Sequence, residues 1–219
     1  MKQFRCHLPA AVLILLPSLP LAAQRDAVKP PWVSLFNGKD LTGWVTVGKE
    51  RWVVDDGTIL GESINKGNGF LKTEKTYKDF HLSLRYKCES PINSGVFYHS
   101  DIIEDIKQIR FIQVEIDSRI GSHTGGLHGD RTQTNPGRGW IVWPAPENET
   151  VIRPYDWNDM LVQVEGNRVR TRVNGVQMID FTYPNPQNTD GIVAFQLHSG
   201  SVARIRFKDI WIRDLSRPQ

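Results

Sequence analysis

Cysteine is almost absent from this chain. Only Cys6 and Cys88 occur in 219 residues, and a cut after Ala23 leaves Cys88 alone. No intramolecular disulfide can then form, so the core has to hold the fold. Apolar runs of membrane-spanning length are missing as well. The longest, Leu8 to Leu21, follows Lys2 and Arg5, is broken by Pro9, Pro17 and Pro20, and leads into Ala22 and Ala23. That pattern predicts a signal peptide over residues 1–23 and no membrane span, with a periplasmic or secreted mature protein. Excess charge is lacking too. The chain carries 27 Lys and Arg against 24 Asp and Glu, and removal of Lys2 and Arg5 leaves 25 basic residues. Bulk charge therefore gives no support to a nucleic-acid partner.

Catalytic motifs are equally scarce. His81, His99, His123, His128 and His198 form no H-x-x-x-H or H-E-x-x-H pair, and there is no C-x-x-C, so no zinc motif is present. There is no G-x-S-x-G, and Cys88 has no local signature, which disfavours a Ser or Cys nucleophile. Helical periodicity is confined to Asp101 to Gln108.

Short alternating segments and turn signals make up most of the rest. Asp55-Asp56-Gly57, Gly166-Asn167 and Asn174-Gly175 each sit between strand-like runs, and the last two predict a meander. Phe80 to Lys87, Asn93 to His99, Gly191 to His198 and Val202 to Arg213 alternate in the same way. A dozen or more short strands with almost no helix predict an all-β sandwich or jelly roll, as one domain over 33–214 after a loose lead-in at 24–32. Seven Trp, five Tyr and, beyond Phe4 of the signal stretch, eight Phe can fill its core or stack on sugars. Gly121 to Gly139, rich in Gly, Thr and Asn, reads as a long loop of the kind that carries function.

One strand stands out. In Phe111 to Ser118, the residues Phe111, Gln113, Glu115 and Asp117 share a face, and Ile112, Val114 and Ile116 share the other. Neighbours on one face lie roughly 6.5–7 Å apart, close enough for two carboxylates to perturb each other or to grip one ligand or cation. A solvated strand face is the competing reading. The E-x-D order resembles the strand motif of laminarinase-like glycosidases, but Ser118, Arg119 and Ile120 follow where a second Glu is required, so the general acid is missing. On other strands Asn93 and His99 share one face, as do Gln196 and His198; imidazoles there can act as acid or base. Arg168, Arg170 and Arg172 form a basic row that reads first as a solvated face, with a groove wall as the alternative.

Several segments together resemble the 3-keto-disaccharide hydrolase family. They are the SLFNGKDLTGW stretch from Ser34 to Trp44, Asp79 to Leu82, Asn93 to Val96, Thr124 to Gly129, Trp157-Asn158, Asn174-Gly175, Gln196 to His198, and Arg206 to Ile210. They run in order over residues 33 to 213. His99 and His128 stand where the family is expected to carry Arg and Tyr. The resemblance implies a concanavalin A-like jelly-roll sandwich of two antiparallel sheets that acts on carbohydrate. It implies cleavage of 3-keto-glycosides by removal of the C2 proton and elimination of the C1 substituent. Glu115, Asp117, His198 and His128 are then candidate catalytic residues, and Asn93, His99, Gln113 and Gln196 candidate substrate-binding residues. A divalent cation is one candidate electrophile for the enolate, without a motif that calls for it. A non-catalytic, lectin-like carbohydrate-binding module on the same fold is the alternative.

Overall fold

A computed structural model describes residues 30–102, 110–129, 139–184, 189–200 and 202–216. The signal-peptide stretch 1–23, most of the lead-in 24–32, residues 103–108 of the expected helix with residue 109 after it, and 130–138 of the long loop lie outside them. Among the described residues there are fifteen strands and one short helix. In chain order they begin β1 (Val33–Ser34), β2 (Trp44–Gly48), β3 (Arg51–Asp55), β4 (Thr58–Glu62), β5 (Gly69–Tyr77), β6 (Phe80–Cys88), β7 (Asn93–Asp101) and β8 (Arg110–Asp117). They continue with β9 (Leu127–Gly129), β10 (Trp140–Val142), helix α1 (Pro146–Glu149), β11 (Asn158–Glu165), β12 (Arg168–Val173), β13 (Val176–Thr182), β14 (Gly191–Leu197) and β15 (Arg204–Asp214).

The strands form two antiparallel sheets. One has the order β13-β12-β11-β6-β15-β4-β3, with β1 beside the second half of β15; the other runs β10-β9-β8-β7-β14-β5-β2. Alternation decides what lies between them. Phe80, Leu82, Leu84 and Tyr86 of β6 and Met160, Val162 and Val164 of β11 meet Ile112, Val114 and Ile116 of β8 and Val193, Phe195 and Leu197 of β14. Phe195 and Phe207 stack across the sheets with ring centroids 4.1 Å apart. Burial of this much apolar surface is the main source of the fold's stability. Cys88 is part of that core, where burial, helped by the nearby Asp117 carboxylate, pushes its thiol up to about 12. Both hairpin signals of the meander are realised, with Glu165 opposite Arg168 and Val173 opposite Val176.

Two local features differ from the sequence expectation. Asp101, the expected start of a helix, is the last residue of β7. The helix that does appear is α1, whose Pro146 occupies a first-turn position that has no use for a backbone N–H. The Arg168–Arg172 row lies on the sheet that does not carry Glu115, where Arg168 binds Asp180 and Arg170 binds Glu165. It is a solvated, ion-paired face.

Two loops are tied together at one end of the site-bearing sheet. Glu50, buried, accepts hydrogen bonds from the backbone N–H groups of Ile64, Asn65 and Gly67. Burial raises its proton affinity, and these donors more than reverse that, leaving it below the usual carboxylate range. The clamped loop then receives the N–H of Ser199 on Asn68 Oδ1 at 3.0 Å and that of Gly200 on the Lys66 carbonyl at 2.9 Å. Glu50→Ala should therefore lower stability by about 1–3 kcal/mol and speed amide exchange at Ser199 and Gly200; denaturant midpoints and exchange rates equal to wild type would contradict the clamp.

Candidate functional site

The face of the second sheet that points away from the core carries the polar residues. Register places them in rows. Gln113 of β8 lies between Phe97 of β7 and His128 of β9, Glu115 lies beside Gly95, and Asp117 lies beside Asn93. Ala194 and Phe195 of β14 pair with Phe97 and Val96. Continuing that register sets Gln196 beside Gly95, and the chain then leads to His198 beside Asn93. Five of the residues singled out in the sequence, Asn93, Gln113, Glu115, Asp117 and Gln196, thus occupy adjoining places on three neighbouring strands. The solvated-face reading of β8 does not hold, since Gln113, Glu115 and Asp117 are all buried, Glu115 to 3% exposure and Asp117 to 2%.

Glu115 is the centre of the arrangement. The side-chain amide of Asn93 donates to its Oε1, and Gln113 Nε2 donates to its Oε2 at 2.9 Å and to the Ser94 carbonyl at 3.0 Å. This geometry requires Gly95. A β-carbon there would fall 2.5 Å from Gln113 Cγ and Nε2, so any other residue displaces the amide. Burial pushes the Glu115 carboxyl up; the Asn93 bond and the charge of Arg119 pull against it, the Asp117 charge adds to it, and the result is about 8.

Asp117 has a different setting. Its Oδ1 accepts from the Arg119 backbone N–H at 2.8 Å and from Arg119 Nε at 3.0 Å, and its Oδ2 accepts from Nη2 at 2.9 Å. The strand end is pinned as well, for Thr124 Oγ1 accepts from the Asp117 N–H at 2.9 Å. The carboxylate thereby fixes the exposed Arg119 guanidinium on the side of Glu115.

The histidines separate. His198, exposed at the rim, has its Nδ1 2.8 Å from the Ser199 carbonyl; Nδ1–H donates there, which leaves Nε2 as the basic nitrogen of the neutral ring. His128 packs on Phe111 and Trp140, and burial, with repulsion from His198, holds it below the usual imidazole value. His99 does not join the face that carries Asn93. A bulge between Tyr98 and Asp101, with His99 at φ +47°, turns its ring towards Phe80 of the other sheet and sets its Nε2 2.7 Å from the Lys78 carbonyl. One extra residue in a strand reverses the facing of the residues beyond it, so alternation counted from Asn93 misplaces His99.

Gln196 is buried, and its Oε1 has no hydrogen-bond partner among the described residues. A buried acceptor left open in the row of Glu115 suits a hydroxyl-bearing ligand. Among the described residues no three His, Cys, Asp or Glu side chains gather as cation ligands would. The oxygens of Glu115 and Asp117 are engaged by amides and a guanidinium. Gly95 and Arg119 escaped the sequence reading. The N-S-G step between two polar residues was the available signal for Gly95, whereas Arg119 lies beyond the strand where alternation stops.

The model of the 3-keto-alpha-glucoside-1,2-lyase-like domain family matches residues 31–213. A curated 3-keto-disaccharide hydrolase of Bacteroides thetaiotaomicron is 32% identical over 196 residues, covering 77% of this chain and 66% of its own, so this chain spans just under two thirds of that relative. A protein of Parabacteroides distasonis provisionally assigned to the glycosyl hydrolases superposes with a TM-score of 0.64 at 24% identity, over 84% of this chain and 94% of the other. The carbohydrate-binding module CBM66 of Bacillus subtilis does so at 0.56 and 16%, over 78% and 96%. At those identities the two structures show the fold, a jelly-roll sandwich, and no more.

The close approach and the buried acid each have a measurable effect on stability. Gly95→Ala should cost about 1–3 kcal/mol through overpacking against Gln113, and an unchanged denaturant midpoint would contradict the close approach. Glu115 binds its proton more tightly folded than unfolded, where its carboxyl titrates near 4.5. The stability this brings is complete below about 4.5 and is lost as pH rises to about 8. Glu115→Gln removes that dependence, so its melting temperature should fall less than that of wild type across this range; parallel falls would contradict the burial of a protonated acid.

Proposed function

This chain belongs to the 3-keto-alpha-glucoside-1,2-lyase-like family, and from that premise we propose that it cleaves 3-keto-glycosides at C1. The observation that carries the proposal is the buried Glu115, gripped by Asn93 and Gln113 and with its proton affinity pushed to about 8. A ketone at C3 acidifies the hydrogen on C2. A carboxylate of ordinary affinity is a weak base for such a proton, and burial strengthens it. Glu115 takes the C2 proton, and the electron pair passes into the C2–C3 bond and onto the ketone oxygen as an enolate. Collapse of the enolate breaks the C1–O bond, and the leaving oxygen receives a proton. An unsaturated ketone remains; addition of water across C1 and C2 then yields the free 3-keto sugar.

The other residues divide the remaining tasks. Arg119, fixed by Asp117, supplies positive charge for the enolate oxygen. Asp117 then positions a guanidinium and does not itself remove a proton. His198, exposed at the rim, takes up a proton from solvent on Nε2 and passes it to the departing oxygen, and His128 serves the water-addition step as a neutral imidazole. Gln196 Oε1 accepts a sugar hydroxyl. The basic, apolar start of the chain supports export of the protein to the periplasm or beyond the cell. A lectin-like module is the second reading, favoured by the shared fold with a carbohydrate-binding module; it requires no raised affinity at Glu115.

The test compares a 3-keto-disaccharide with its unoxidised parent. Only the keto form should be cleaved, with solvent deuterium entering C2 of the sugar and kcat/KM rising as pH passes through about 8. Glu115→Gln should lose about 10²-fold or more. Cleavage of the parent, or unchanged turnover by Glu115→Gln, would refute the mechanism; binding of both sugars without turnover would establish the lectin.

A further inference from the structure

A file of aromatic rings leads away from Glu115 across the same sheet. Phe97 stacks on Phe111 at 4.7 Å, and Phe111 on His128 at 5.9 Å. His128 meets Trp140 edge-on at 5.2 Å, Trp140 meets His123 edge-on at 5.0 Å, and His123 stacks on Trp143 at 5.6 Å with 27° between the planes. Of these six rings only Trp143 is largely exposed, at 55%.

Its support is built. The His123 N–H donates to Glu149 Oε2 at 2.8 Å, and its Nδ1 lies 3.3 Å from Oε1 of the same carboxylate. Glu149 is buried in α1. His123 also holds a left-handed φ of +68° and accepts the Gly126 N–H on its carbonyl at 2.8 Å. A carboxylate buried at a helix end, with its partner in a disfavoured backbone conformation, has a positional purpose. Here it sets the ring that backs Trp143.

The platform is continuous with the site. Gly126 O accepts the Glu115 N–H at 2.9 Å, and a β-carbon on Gly126 would lie 3.1 Å from Trp143 Cα. Trp143 therefore lies two strand spacings from Glu115, about 10 Å, with a residue lacking a side chain between them. That spacing suits one sugar ring at Glu115 and a second over the indole. Scattered exposed aromatics need no explanation, and Trp211 on the opposite sheet is one. Trp143 is distinguished by its brace and by its place in the row of the carboxylate.

Resting on the reading of Glu115 given above, we propose that Trp143, braced by His123 and Glu149, is the stacking platform for the leaving group, and that this group is a second pyranose ring joined through C1 of the keto sugar. The apolar face of a pyranose laid on the indole buries area and meets its negative π-face. Specificity for disaccharides over simple glycosides then resides in Trp143.

The test uses the full chain with Trp143→Ala and Trp143→Phe, a 3-keto-disaccharide and methyl 3-keto-glucoside. The preference in kcat/KM for the disaccharide should fall about tenfold in Trp143→Ala and be largely recovered in Trp143→Phe. An unchanged preference, whether both substrates lose equally or neither loses, overturns the proposal. If wild type cleaves neither substrate, the proton-abstraction reading fails separately, and calorimetry decides the platform. The unoxidised disaccharide should then bind Trp143→Ala about tenfold more weakly than wild type, and equal or absent binding overturns it.

Discussion

A carboxyl group buried between two amides organises this molecule's outer sheet. Glu115 has Asn93 on one oxygen and Gln113 on the other, and the missing side chain at Gly95 is what lets Gln113 reach across. Left unpaired, a buried carboxylate would be too costly to keep. Two neutral donors lower that cost without cancelling it, so the group retains an elevated proton affinity. Asp117, the next residue on the same face of the strand, is instead bound through both oxygens by Arg119. Two acids two residues apart thus acquire different chemistry from their partners alone.

The sandwich supplies rigidity for this. Ile112, Val114 and Ile116 anchor the inner face of β8 in the core, so the outer face cannot slip register without exposing them. Ser94 Oγ, donating to the Gln196 carbonyl at 2.7 Å, locks β7 to β14 from beneath, and Thr124 locks the end of β8. Polar residues on three strands are therefore held by packing that none of them contributes to. Placing a site on strands and not on loops gives it fixed geometry before any ligand arrives.

Much of this was legible in the residues themselves. Alternation in 111–118 put Gln113, Glu115 and Asp117 together, because a strand with one buried face has only one way to lie. The turn pairs at Gly166-Asn167 and Asn174-Gly175 gave the meander, since few other residues suit those turns. The family resemblance, which the match over 31–213 supports, set Gln196 and His198 beside them. The failures have physical causes. His99 was misplaced by a bulge, and a bulge is a non-local compromise between strand twist and packing that leaves no period in the sequence. Trp143 and His123 fell in and after a loop without periodicity, and only the pairing of β9 with β10 brings them to the site. The partners that distinguish Glu115 from Asp117 also come from tertiary structure, so their roles could not be separated in advance.

The proposed chemistry depends on Glu115 being an acid of raised affinity in the free protein. Carbon NMR of the labelled Glu115 carboxyl, assigned by comparison with Glu115→Gln, measures this directly. A midpoint near about 8 is predicted. A midpoint close to 4.5, the value of an ordinary glutamate, would contradict both the burial and the basicity on which that chemistry rests.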